Sequence, residues 1–219
     1  RWEAREPRGW ALDLDELEDQ ISPATRAIVI NLPHNPTGYQ MPSKVFAEVV
    51  DIARSHGITL FSDEVYRESE YAPEDRLPAA CDLDEHAVSL GVMSKTYGLA
   101  GLRIGWVATR DAAVRERMAA LKDYTTICNS APSEFLAELA LRHREALIER
   151  NVSIISGNLA LLDSFFERHG ATFAWQRPKA GPIAFPRLLE GNSEAFCHRL
   201  VQEAGVLLLP GVVFDDPGD

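Results

Sequence analysis

Three short apolar runs in the first half of the chain constrain the fold most: AIVINL (27–32), ITLFS (58–62) and AVSLGV (87–92). Their length and β-branched content mark them as buried strands. Between the first two lies PSKVFAEVVDIARSH (42–56), whose apolar residues recur at helical spacing. Pro42 suits its first turn, and Gly57 suits the position just past its end. A strand, a helix and a second strand in this order imply an α/β sheet, mostly parallel, because parallel neighbours need a crossover. Such sheets bind ligands at the carboxyl ends of their strands. Asn35, Asp63 and Lys95 follow the three runs, at that edge.

The remaining pattern extends this scheme. LDLDELEDQI (12–21) spaces Leu14, Leu17 and Ile21 as a helix does, with Asp13 and Glu16 placed like a capping box. A polar loop covers 67–86, and LRIGWVA (102–108) reads as a fourth strand. Beyond 110 the pattern predicts helices over 111–124, 132–169 with a break near His143, and 193–204. TFAW, PIAFPRL and VLLLP read as short strands. We expect a large α/β unit over residues 1–150 and a smaller α+β unit over 151–219, joined by a long helix.

Composition narrows the function classes. Lys and Arg number 22 against 33 Asp and Glu, a formal net charge of −11. That balance argues against a nucleic-acid face or an anionic membrane surface, yet leaves room for a local basic pocket. Three widely spaced cysteines, without a CxxC pair, argue against a disulfide framework or a zinc site and fit the cytoplasm. No apolar run approaches the ~18 residues of a membrane span. The chain opens RWEAREPRGW, without an initiator Met or a signal-peptide pattern, and closes GVVFDDPGD. Both ends read as cut, so we expect a piece of a longer protein.

Four segments carry candidate chemistry. In VMSKTYGLAGLRIGW (92–106), Lys95 lies among apolar residues, where a lysine loses its proton more easily and attacks carbonyls. Gly98, Gly101 and Gly105 allow a close backbone approach to a ligand, and Arg103 suits a phosphate. In FSDEVY (61–66), Asp63 can hold a proton on a ring nitrogen, and Tyr66 brings a phenol nearby. In NLPHNPTG (31–38), Asn35 offers an amide on a proline-braced bend, beside His34. Taken singly, each segment also reads as ordinary: a surface lysine, a capping carboxylate, a turn.

HNPTG, SDEVY and SKTYGLAGLRIGW, in this order, resemble the class I/II aminotransferases, fold-type I enzymes that use pyridoxal 5′-phosphate (PLP). Asn35 and Asp63 are 28 positions apart and Lys95 lies 32 beyond Asp63, similar to the family's spacing. PKAGPIAFPRL and EAGVLLLPGVVF look like the family's small C-terminal domain. The resemblance implies that Lys95 holds PLP as a Schiff base and then moves protons at the substrate. Asp63 would pair with the pyridinium nitrogen, which makes the ring a better electron sink. Asn35 and Tyr66 would bond the ring's phenolic oxygen, and Arg103 the phosphate. A homodimer acting on an amino acid and a 2-oxo acid is implied too.

Departures from the family's pattern bear on the reaction. The family often places a hydroxyl residue three before the lysine; here that residue is Val92. One phosphate hydrogen bond fewer is expected, worth roughly 1–3 kcal/mol if charge-assisted. The glycine-rich phosphate loop and the arginine for the substrate carboxylate have no match in this sequence. Transamination is the leading expectation. Elimination, decarboxylation, oxidation or cyclisation of an amino acid uses the same residues. A third possibility is an aminotransferase-like sensor domain of a transcription regulator.

Overall fold

The computed structural model describes residues 2–214. Strands β1 (Ala27–Asn31), β2 (Thr59–Asp63), β3 (Val88–Val92) and β4 (Gly105–Ala108) form one sheet in the order β1-β2-β3-β4. The first two pairings are parallel and the third is antiparallel. Asn31 lies opposite Asp63, and Asp63 opposite Leu90, so the chemistry-bearing ends of β1–β3 share one edge.

Helix α1 (Leu14–Gln20) starts at Asp13, whose carboxylate accepts from the Asp15 and Glu16 amides. Helix α2 (Ser43–Ser55) crosses from β1 to β2 and is followed by Gly57 at φ 62. Its Phe46, Val49, Val50 and Ala53 pack with Leu17, Ile28, Ile30 and Leu60 into the main core. A short helix α3 (Ala80–Leu83) precedes β3.

Three readings need correction. First, β1 is buried on one face only: Ile28 and Ile30 are each 6% exposed, but Val29 between them is 70% exposed. Successive strand residues point to opposite faces, and the α1–α2 layer covers just one of them. Second, β4 starts later than its apolar run, because Ala100–Leu102 forms a 3-10 turn and Arg103 takes φ 55. Third, VLLLP adds no strand; it has no ladder partner among the described residues, and Leu207 is 75% exposed. PIAFPRL contributes only β6 (Arg187–Leu188), paired with β5 (Phe173–Ala174). Pro182 and Pro186 have no N–H to donate to a ladder.

The second half is helical as expected: α4 (Ala112–Asp123), α5 (Ala131–Arg142), α6 (Arg144–Arg168) and α7 (Ser193–Ala204), with the α5–α6 break at His143. Helix α6 passes through residue 150, so the expected unit boundary falls inside a helix. Phe166 stacks on Trp175 at 4.4 Å, and Phe173 meets Phe196 edge-on at 5.9 Å, which ties α6, β5 and α7 together. Arg187 of β6 pairs with Glu6 at 2.5 Å, near the start of the described chain. No described helix is long and apolar enough to cross a membrane.

Candidate functional site

At the end of β1, Asn31 joins two candidate residues. Its Nδ2 donates to the Asp63 carbonyl at 3.2 Å, and its Oδ1 accepts from the Asn35 amide at 2.8 Å. The Asn35 bend is closed by Gly38 N–H donating to the His34 carbonyl at 2.8 Å. His34 Nδ1 lies 2.8 Å from the Thr37 hydroxyl, and burial holds the ring's pKa below its ordinary value. Asn35 itself is exposed.

At the end of β2, one Asp63 carboxylate oxygen accepts from the Val65 amide at 3.2 Å. Tyr66 is buried beside it. Glu64 fixes the segment from below: its Oε1 accepts from Ala80 N–H and from the Ser89 hydroxyl, each at 2.8 Å. Those bonds pin the loop to α3 and β3, so the Asp63–Tyr66 turn is held on both sides.

Beyond β3, the Met93–Ile104 loop returns antiparallel into β4, tied by Met93 N–H to the Ile104 carbonyl at 3.0 Å and Leu99 N–H to the Met93 carbonyl at 2.9 Å. Lys95 rides on this loop, exposed, with its Nζ 5.7 Å from the centre of the Tyr66 ring. Buried residues flank it (Met93 and Thr96), while the Lys95 side chain itself is exposed rather than enclosed. The Thr96 hydroxyl lies 2.9 Å from the Arg67 carbonyl and 3.2 Å from that of Val65, docking the lysine loop on the Tyr66 loop. Asn151 of α6 donates to the Thr96 carbonyl at 2.9 Å. Arg103 is exposed and donates to the Ala100 carbonyl at 3.2 Å. A Cβ on Gly91 would lie 2.5 Å from the Trp106 ring, so a side chain there must displace that ring.

The structure therefore brings Lys95 to Tyr66, joins Asn35 to Asp63 through Asn31, and carries Arg103 on the same loop as Lys95. Sequence reasoning missed Asn31, Glu64, Thr96 and Asn151. Asn31 alone carried a signal, as an amide closing an apolar strand.

The donor set fits PLP. A carboxylate matches a ring N–H, a phenol and an amide match a ring oxygenate, an amine matches a carbonyl, and a guanidinium matches a phosphate. Among the described residues, no hydrogen bond occupies the Lys95 amine, the Tyr66 hydroxyl or the Asn35 side-chain amide, so these groups stay available to a ligand.

Comparison with known proteins agrees with this chemistry. The family model for aminotransferase class I and II matches residues 1–218. Capreomycidine synthase of Streptomyces vinaceus is 31% identical over 97% of this chain and 54% of its own length. A PLP-dependent aminotransferase from Streptococcus suis superposes with a TM-score of 0.92 at 37% identity, over 99% of this chain and 57% of that one. The PLP-dependent cyclase OrfR superposes with a TM-score of 0.85 at 31% identity, over 94% and 56%. The chain spans about half the length of the curated relatives it matches.

Proposed function

Because this chain belongs to the aminotransferase class I and II family, we propose that the whole protein is a PLP-dependent aminotransferase, moving an amino group between an L-amino acid and a 2-oxo acid. The carrying observation is the Lys95 amine, 5.7 Å from the Tyr66 ring and free of hydrogen bonds among the described residues, at the sheet edge where β2 ends in Asp63. When bound, the cofactor supplies an aldehyde for amine exchange and a ring that accepts the electron pair released at the substrate Cα.

The chain's own residues do the rest. Lys95 would hold the cofactor through its amine and, as a free amine, would take up and return the substrate Cα proton as a general base and acid. Asp63 is held by the Val65 amide at one carboxylate oxygen and would offer its negative charge to the ring N–H, keeping it protonated. Asn35 and Tyr66 would donate to the phenolic oxygen. Arg103 would pair with the phosphate, and Val92 adds no hydroxyl there. Asn31 and Thr96 touch none of these atoms, but hold the three loops in register.

A homodimer and a cytoplasmic location complete the proposal. The first is supported by apolar side chains exposed beyond α4, such as Tyr124 at 91% and Ile127 at 72%. The second is supported by three widely spaced cysteines. Sedimentation of the whole protein tests the dimer.

A second reading, cyclisation of an amino acid, is favoured by one observation, the likeness to a PLP-dependent cyclase. One titration separates the two. The full-length protein is loaded with PLP, and its absorbance is followed while an amino-acid panel is added. Transamination predicts loss of the Lys95-dependent visible band with one equivalent of 2-oxo acid released. A band that returns without 2-oxo acid, with a cyclic product, supports the second reading. Absence of any Lys95-dependent band contradicts both.

A further inference from the structure

A four-residue segment of the smaller unit, Pro178–Gly181, lies between two loops that carry candidate cofactor donors. On one side, Lys179 N–H donates to the Gly38 carbonyl at 2.8 Å, at the close of the Asn35 bend. The approach is so tight that a Cβ on Gly38 would lie 2.3 Å from Pro178 Cβ. On the other side, Tyr71 N–H donates to the Lys179 carbonyl at 3.0 Å, and Gly181 N–H donates to the Ser69 carbonyl at 3.2 Å. The Tyr71 hydroxyl donates to the Gly181 carbonyl at 2.6 Å, a bond spanning 110 positions. Gly181 also lies against Tyr66: a Cβ there would be 3.6 Å from the ring. Ser69 in turn bonds the Tyr66 carbonyl through its hydroxyl.

These contacts make one physical link. The Asn35 bend and the Tyr66 loop are each hydrogen-bonded to Pro178–Gly181. The segment leads out of Trp175 and Arg177, both bonded to Asp163 of α6 at 2.9 Å. Pro178–Gly181 therefore connects both loops to the stretch that is bonded to α6.

We propose that Pro178–Gly181 is a positioning strap that sets the spacing of Asn35 and Tyr66, with the Tyr71 hydroxyl as its latch; this rests on the reading of those two residues as donors to the cofactor's phenolic oxygen. Donation to that oxygen stabilises its anionic form and so sets the pH at which the lysine-bound cofactor loses its proton. Tyr71 is a positioning residue: it touches neither cofactor nor substrate in this account.

The test uses the full-length protein and Tyr71→Phe, a change that removes one hydroxyl and keeps the ring. In the PLP-loaded protein, the pH midpoint of the Lys95-dependent visible band is expected to move by about half a unit or more. Lys179→Ala, which deletes the Nζ contact to Asp75 at 3.3 Å but keeps both backbone bonds, is expected to leave the midpoint in place. In the cofactor-free protein, Tyr71→Phe should raise hydrogen exchange in residues 34–39 and 66–71 together. An unmoved midpoint in Tyr71→Phe, an equal shift in Lys179→Ala, or exchange that rises in neither loop overturns the strap. If the unmutated protein shows no Lys95-dependent band, the proposed function fails, and the exchange arm still decides whether the strap links the two loops.

Discussion

Before residue 100, Phe46, Val49, Leu60 and Met93 are all sealed at 2% exposure or less; beyond residue 110, Leu121, Tyr124, Ile127 and Phe135 stand 65–91% exposed. Both sets are strongly apolar, and both sit on well-formed elements or their connections. Phe46, Val49 and Leu60 of the first set pack into a layer that the chain itself supplies, with α2 folded back on β1 and β2. The second set lies on α4 and α5 (Leu121, Phe135) and on the turn between them (Tyr124, Ile127), where these side chains stay exposed. Helical periodicity thus predicts that a helix forms, while burial depends on what lies against it.

That contrast can be broken or sharpened by substitution. Phe46→Ala should cost the most, about 3–5 kcal/mol in urea unfolding of this chain, because a large buried ring leaves a cavity. Loss under about 1 kcal/mol would show that the α2 layer is not the stabilising core. Gly91→Ala should cost about 1–3 kcal/mol, because the new methyl must displace the Trp106 ring that it would otherwise meet at 2.5 Å. Tryptophan fluorescence would report that displacement.

A pH effect comes next. Burial depresses the His34 pKa, so the folded state takes up the proton less readily than the unfolded chain does at its ordinary 6.5. Stability should therefore fall as pH drops below 6.5, through the window down to the lowered folded pKa, and show no His34-linked change with pH above 6.5. Replacing His34 by Gln should flatten that part of the acid limb in urea titrations at stepped pH; an unchanged slope would contradict the assignment. Phe135→Ala should have the smallest effect, within about 0.5 kcal/mol, because its ring is already 67% exposed. A loss as large as that of Phe46→Ala would erase the contrast.

Much of the first region was legible in the sequence because local chemistry and topology agree there. Asp13, Pro42 and Gly57 mark helix ends by their own conformational preferences; in the second region α7 also begins and ends where its pattern does. What escaped depended on partners distant in the chain. Val29 looks as buried as Ile28 and Ile30 until the one-sided helix layer is known. The run from Val206 to Pro210 is equally ambiguous: VLLLP has strand composition, yet a strand needs a ladder partner that spacing cannot announce. Within the site, Lys95, Asp63, Tyr66, Asn35 and Arg103 were nominated by chemistry at strand ends. Asn31, Glu64 and Thr96 were missed because their contribution is a set of bonds across 4 to 32 positions, which no motif encodes.

The most direct test of the account is to load the full-length protein with PLP, reduce it with borohydride and map the modified peptide by mass spectrometry. A pyridoxyl group on Lys95, lost in Lys95→Ala, is the predicted result. Modification on another lysine, or none, would contradict the placement of the cofactor at the end of β3.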